Sequence, residues 1–250
     1  MRSSRFRFAV FSTIPLVLLI IITCGIPDYQ FYLYPPDPFS PPQVGFSHDP
    51  SNDPDVFVGY DIYYKFYTED PDSGIAESEK NSYFNSTAAF TSVSYHNVGS
   101  SVSSFTKGFR KMLIDSDTGT GTSFNKNIPY QLAIDSSERD DDFSVAFIKD
   151  DLNDIISLSL ENYLGGSISF DCYRIADDGS GSYKSFLPFN DTIYETVNDT
   201  DLENFITIDF LSSFYVAFFV VPYGRDSNGV DIFSNSSSDD IIYIGSFDIN

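Results

Sequence analysis

The sequence predicts a mainly β fold, an antiparallel β-sandwich interrupted by one helical segment. Three observations carry that expectation. Runs rich in aromatic and β-branched residues recur at short intervals, at 56–67, 143–149, 155–161, 167–174, 214–223 and 241–247. Clusters of Asp, Asn, Ser and Gly separate them, among them 177–181, 226–229 and 235–238, and these are the residues that reverse a chain between strands. The chain of 250 residues, 42% hydrophobic and 17% aromatic, is long and apolar enough to enclose a substantial core. Short strands so punctuated read as two stacked antiparallel sheets.

Taken in order, residues 1–23 form a unit of their own. Arg2, Arg5 and Arg7 precede an apolar stretch from Ala9 to Thr23 with no acidic residue. That is the layout of an export signal, and it is shorter than the ~20 residues that cross a bilayer. Residues 24–45 follow as a tether, because Pro27, Pro35, Pro36, Pro38, Pro41 and Pro42 forbid a helix and leave extended chain. Its aromatics Tyr29, Phe31, Tyr32, Tyr34 and Phe39 could pack part of it on the domain as an edge strand. Residues 46–250 are expected to be the sandwich. Further strands are expected at 129–135, 183–189 and 204–210, and turn residues 69–74 close the run 56–67. Within 88–114 the pattern changes: Val98, Val102, Phe105, Phe109, Met112 and Leu113 recur every three or four residues, with Lys107, Arg110 and Lys111 towards the carboxyl end. That spacing predicts a helix over 99–114 with cations at the end that favours them.

Charge restricts the partners. The whole chain carries −22, and beyond residue 23 there are 11 basic and 36 acidic side chains, a net of −25. A surface of that sign repels phosphate backbones and anionic headgroups, so nucleic acid is not an expected partner, and a protein with a basic surface is. Two histidines, His48 and His96, and two cysteines, Cys24 and Cys172, supply few parts for zinc or triad chemistry. Both histidines are expected at the surface or in caps, and Cys172, in an alternating run, as a small core hydrophobe. Neither a catalytic residue nor a cofactor or metal ligand is assigned. Calcium is the one metal the acidic loops permit, through Asp115-Ser116-Asp117, Asp70-Pro71-Asp72, Asp226-Ser227-Asn228 and Asp140-Asp141-Asp142. Turn chemistry accounts for the same carboxylates.

Two resemblances follow from particular residues. Ile21-Ile22-Thr23-Cys24-Gly25 resembles the lipobox of bacterial lipoproteins, in the relaxed form of spirochaetal ones such as those of the treponemes. The resemblance implies that Cys24 is the lipid-attachment residue: its sulfur would carry diacylglycerol, its freed amine a further fatty acyl chain such as palmitate, and two or three chains anchor stably where one does not. Separately, Gly59-Tyr60, Ile62 and Tyr64-Lys65 are similar to the third strand of fibronectin type III modules. Residues 215–224 with Ile232-Phe233-Ser234 and Tyr243-Ile244-Gly245 are similar to their last two strands. This implies an immunoglobulin/fibronectin III-like sandwich.

The expectation for function is therefore a membrane-anchored lipoprotein acting as a non-enzymatic surface or periplasmic binding or structural module. It would be held by its lipid in the cell envelope, with the outer membrane favoured over the inner. Two rivals remain open. One is a solute-binding lipoprotein of a transport system, its aromatics stacking on a sugar. The other is a secreted or anchored glycoprotein, should Cys24 carry no lipid, using the sequons at Asn85, Asn190, Asn198 and Asn235.

Overall fold

Where polar and apolar residues alternate, one face of a strand meets the core and the other meets water. The computed structural model describes residues 33–67, 69–71, 74–79, 110–115, 132–150, 155–175, 183–184, 186, 215–229, 231–233 and 241–249. Within these the strands are β1 (Asp37–Pro38), β2 (Gly45–Ser47), β3 (Phe57–Tyr67), β4 (Arg110–Lys111), β5 (Leu113–Asp115), β6 (Leu132–Ala133) and β7 (Ser144–Asp150). They continue as β8 (Ile155–Tyr163), β9 (Gly166–Ile175), β10 (Tyr183–Lys184), β11 (Tyr215–Arg225), β12 (Asp231–Phe233) and β13 (Ile242–Asp248). The described part is mainly β, two antiparallel sheets packed face to face as a β-sandwich.

The first sheet runs β1-β2-β7-β8-β9, with β10 and β5 side by side along the far edge of β9. Here alternation is clear. Val145 and Phe147 of β7, Ile156, Leu158 and Leu160 of β8 and Cys172 of β9 point inward, while Ser144, Ala146, Ser157, Ser167 and Ser169 occupy the other face. The β8–β9 hairpin closes with Tyr163 opposite Gly166, and both intervening residues have positive φ, Leu164 at 51° and Gly165 at 73°. Two such residues give the turn whose twist matches the flanking strands.

The second sheet is built on β3 and β11, paired from Tyr67–Tyr215 to Phe57–Gly224. β12 and β13 lie along the outer side of β11, and β4 and β6 along the other side of β3. Tyr60, Ile62, Tyr64, Phe66, Val216, Phe218 and Val220 face the first sheet. The opposite face is buried too, by a second cluster of Tyr63, Tyr67, Ala217, Phe219, Val221 and Ile241 under the short helical turn 75–79, whose Ala76 is fully covered. Lys65 on that face pairs with Glu79 of the turn. The segments 57–67, 215–225, 231–233 and 242–248 thus lie side by side as β3, β11 and β12/β13.

Two expectations are corrected. The helix over 99–114 is not what its carboxyl end forms: 110–115 is extended, with Met112 and Ile114 buried at a period of two. Pairing on both sides overrides the local helical spacing. Arg110 and Lys111 join β3, and Leu113 to Asp115 join β9, so the segment passes from one sheet to the other. The remainder of 88–114 lies outside the described residues. The tether also ends sooner than residue 45. Leu33 is fully buried, and 37–38 and 45–47 pair as β1 and β2, the edge packing that the aromatics of this segment permit.

Candidate functional site

One end of the sandwich gathers four connections: the loop 48–56 between β2 and β3, the loop 134–143 between β6 and β7, the β8–β9 hairpin, and the turn 226–229 after β11. All but the hairpin carry acidic residues for a local reason. Asp49, Asp53, Asp135 and Asp226 accept hydrogen bonds from the amides two residues on, those of Ser51, Asp55, Ser137 and Asn228, at 2.8, 3.0, 2.9 and 2.8 Å. These are side chains imitating a backbone turn. At Asp135 the amide and hydroxyl of Ser137 together hold the carboxyl below its ordinary range. Asp140, Asp141 and Asp142 are exposed beside them. Arg139, in the same loop, directs its guanidinium to the carbonyls of Ile134 and Pro54, both at 3.1 Å.

Beneath the acids lies a buried polar centre. His48 is 5% exposed, a buried position in place of the surface or capping one that the sequence suggested. Its ring stacks on Phe143 with centroids 4.5 Å apart and packs against Phe57 and Tyr60. Nε2 lies 2.8 Å from the Arg139 carbonyl oxygen and Nδ1 2.6 Å from the Tyr60 hydroxyl. A carbonyl only accepts, so Nε2 carries the proton and Nδ1 accepts from Tyr60. Burial pulls the imidazole below its ordinary value, outweighing its bond to Arg139 and the nearby charges of Asp49 and Asp142. The same burial pushes Tyr60 well up. With both nitrogens engaged, His48 is a structural imidazole in this conformation.

Asn52, 1% exposed, pins the incoming chain at the same end. Its Oδ1 accepts from the Tyr34 amide at 2.8 Å, and its Nδ2 donates to the carbonyls of Tyr34 and Asp49 at 3.1 and 3.0 Å. The hairpin is tied in by the Asp135 amide donating to the Tyr163 hydroxyl at 2.7 Å and by the Leu164 amide donating to Glu138 at 2.9 Å.

The other sequence candidates fall elsewhere. Cys172 is buried in β9, 1% exposed, and burial pushes its thiol up, as suits a core residue. No group of three or more metal-ligating side chains converges among the described residues. Asp226 and Asn228 are spent on a turn, and Asp115 stands opposite Asp171 across the β5–β9 pair. Cys24, His96, Asp117, Asp72 and the sequons at Asn85, Asn190, Asn198 and Asn235 lie outside the described residues. What the sequence concealed is the buried polar set of His48, Asn52, Asp61 and Arg174. Arg174 sits with its guanidinium carbon 5.3 Å from the centroid of Phe66. The only local cue was placement: Asp61 interrupts an apolar strand, and His48 follows a buried strand directly.

Set beside protein-family models, curated proteins and solved structures, the chain matches none of them.

Proposed function

We propose that the chain is a lipoprotein, acylated at Cys24 and held in the cell envelope, that displays the sandwich as a non-enzymatic binding or structural module. One observation carries the reading: three arginines, an apolar stretch too short to span a bilayer, and Ile21-Ile22-Thr23-Cys24-Gly25 at its end. The outer membrane is the favoured location. The sandwich's part in this proposal is display, and its acidic loop end offers the surface that suits a partner of opposite charge.

The arrangement of the aromatics supports a module over a solute-binding lipoprotein. Tyr60, Tyr64 and Tyr223 are buried in strands at 0–3% exposure, occupied in packing and not offered to a sugar. Mass spectrometry of the mature amino-terminal peptide tests the anchor. A peptide beginning at Cys24 with added diacylglyceryl and acyl mass is the expected result. An unmodified Cys24 or a retained leader overturns the proposal and returns the glycoprotein alternative, with Asn85, Asn190, Asn198 and Asn235 to be checked for glycans.

A further inference from the structure

His48 is the hinge pin of the acidic loop end. It leads out of β2, its ring bonds to the carbonyl of Arg139 in the opposite loop, and it receives the hydroxyl of Tyr60 from β3. Every polar atom of this set is used once in the neutral state. The Tyr60 hydroxyl donates to Nδ1, and the Nε2 hydrogen goes to the Arg139 carbonyl. A second proton on the ring would sit on Nδ1, facing the hydrogen that Tyr60 now donates. The hydroxyl hydrogen would have to turn away, on a side chain whose ring packs edge-on against Phe46 and Phe57, with centroids 4.8 and 5.1 Å apart. An imidazolium therefore reverses that bond, Nδ1–H donating to the Tyr60 oxygen, and leaves the hydroxyl hydrogen to find another acceptor in a buried place.

The charges around the ring decide the direction. From its own loop His48 faces Asp49, from the opposite loop Asp142 and the carbonyl of Arg139, and from β3 Tyr60. The Arg139 guanidinium is turned towards Ile134 and Pro54. Asp49 and Asp142 favour the cation, yet burial outweighs them while the loops are closed. Opened to water, the ring loses the burial penalty. The proton thus prefers the open form.

We propose that His48 is an acid-sensitive latch: its protonation frees the loops 48–56 and 134–143 from the end of the sandwich while the two sheets remain paired. The sheets are held by long ladders, β3 to β11 and β7 to β8 to β9. The loops depend on the latch, a few side-chain bonds and three backbone bonds, His48 to Phe143, Ile134 to Val58 and Arg225 to Val56, against the many of the ladders, so local opening costs less than unfolding. The sign follows from the neutral requirement. His48's contribution is complete above about pH 6.5, its ordinary value, and falls away as the pH drops through that value towards the lower one of the closed state. Ordinary carboxylates stay ionised until nearer pH 4, which leaves the imidazole as the group that titrates at this end between about pH 5 and 6.5. The latch stands whether or not Cys24 is acylated.

Hydrogen exchange read by mass spectrometry on the full chain in detergent micelles, corrected for the pH dependence of intrinsic exchange, tests it. From pH 7.5 to 5.5, peptides covering 48–56 and 134–143 should lose protection by up to about tenfold per pH unit below 6.5, with β8, β9 and β11 unchanged. His48→Gln should flatten that response. Tyr60→Phe, which keeps the ring but withdraws the donor to Nδ1, should raise exchange of both loops at pH 7.5 and shrink the response below pH 6.5, because the closed state then holds the imidazolium at less cost. Should His48→Gln fail to fold, the wild-type and Tyr60→Phe profiles decide. Loss of protection throughout the chain at once, no change at 48–56 and 134–143, or a response in Tyr60→Phe as large as the wild type's overturns the latch.

Discussion

The two sheets solve the same packing problem with different sequences. In β7, β8 and β9 apolar and small polar residues alternate, because only one face is covered. In β3 and β11 the alternation disappears: Tyr63 and Phe219 on the outer face are as buried as Tyr64 and Phe218 on the inner one, all at 5% exposure or less. A strand covered on both sides reads as a continuous apolar run. The contrast shows that the second sheet is the middle layer of a thicker stack, with the turn 75–79 contributing to a further layer over it. Burial of a phenylalanine contributes roughly 1.5–3 kcal/mol on either face, so β11 draws on two cores at once.

Truncations would sharpen or break this contrast. Phe218→Ala, which empties a site against Phe147 and Phe186 at 4.8 and 5.4 Å, should cost about 3–5 kcal/mol in urea unfolding. Phe219→Ala on the outer face should cost about as much; a loss below ~1 kcal/mol would show that the outer cluster is not a true core. Next in size, Asn52→Ala should lower stability by about 1–3 kcal/mol by removing a buried side chain that makes three hydrogen bonds to the Tyr34 and Asp49 backbone. Leu164→Gly should raise it by about 1 kcal/mol, since glycine takes the left-handed conformation without the steric cost that leucine bears there. Ile148→Ser, on the solvated face of β7 and 49% exposed, should change the unfolding midpoint least, by less than about 0.5 kcal/mol. If Ile148→Ser proved as costly as Phe219→Ala, the two sheets would not differ as described.

Much of the sandwich was legible in the sequence for the same reason. Strands at 57–67, 144–150, 155–163, 166–175, 215–225 and 242–248 follow from alternation or from aromatic runs bounded by turn residues. Misread was 110–115, where Phe109, Met112 and Leu113 gave a helical spacing within one segment. The deciding fact was nonlocal: β3 and β9 each offer an edge that this stretch completes. The turn 75–79 went unforeseen because it is too short for a period to register. At the loop end the acidic turn residues were legible, but His48 was not. Nothing local to Ser47-His48-Asp49 says that Tyr60, Phe57 and Phe143 close around it, since those contacts arise only when β2, β3 and β7 are brought to one end.

The segment 110–115 also bears on how the molecule behaves in company. The Met112 amide donates to the Ile62 carbonyl at 2.8 Å exactly where the chain changes sheets, which shuts that rim of the stack. On the other rim β1 lies beside β13, and Val44 rests against Gly245. Its outermost strand carries Asp37 and Pro38, a charge and a residue without an amide hydrogen. Unpaired strand rims are what let neighbouring copies zip together. With these rims shut or blunted among the described residues, and a like charge on every copy, the fold is suited to staying apart from its own copies.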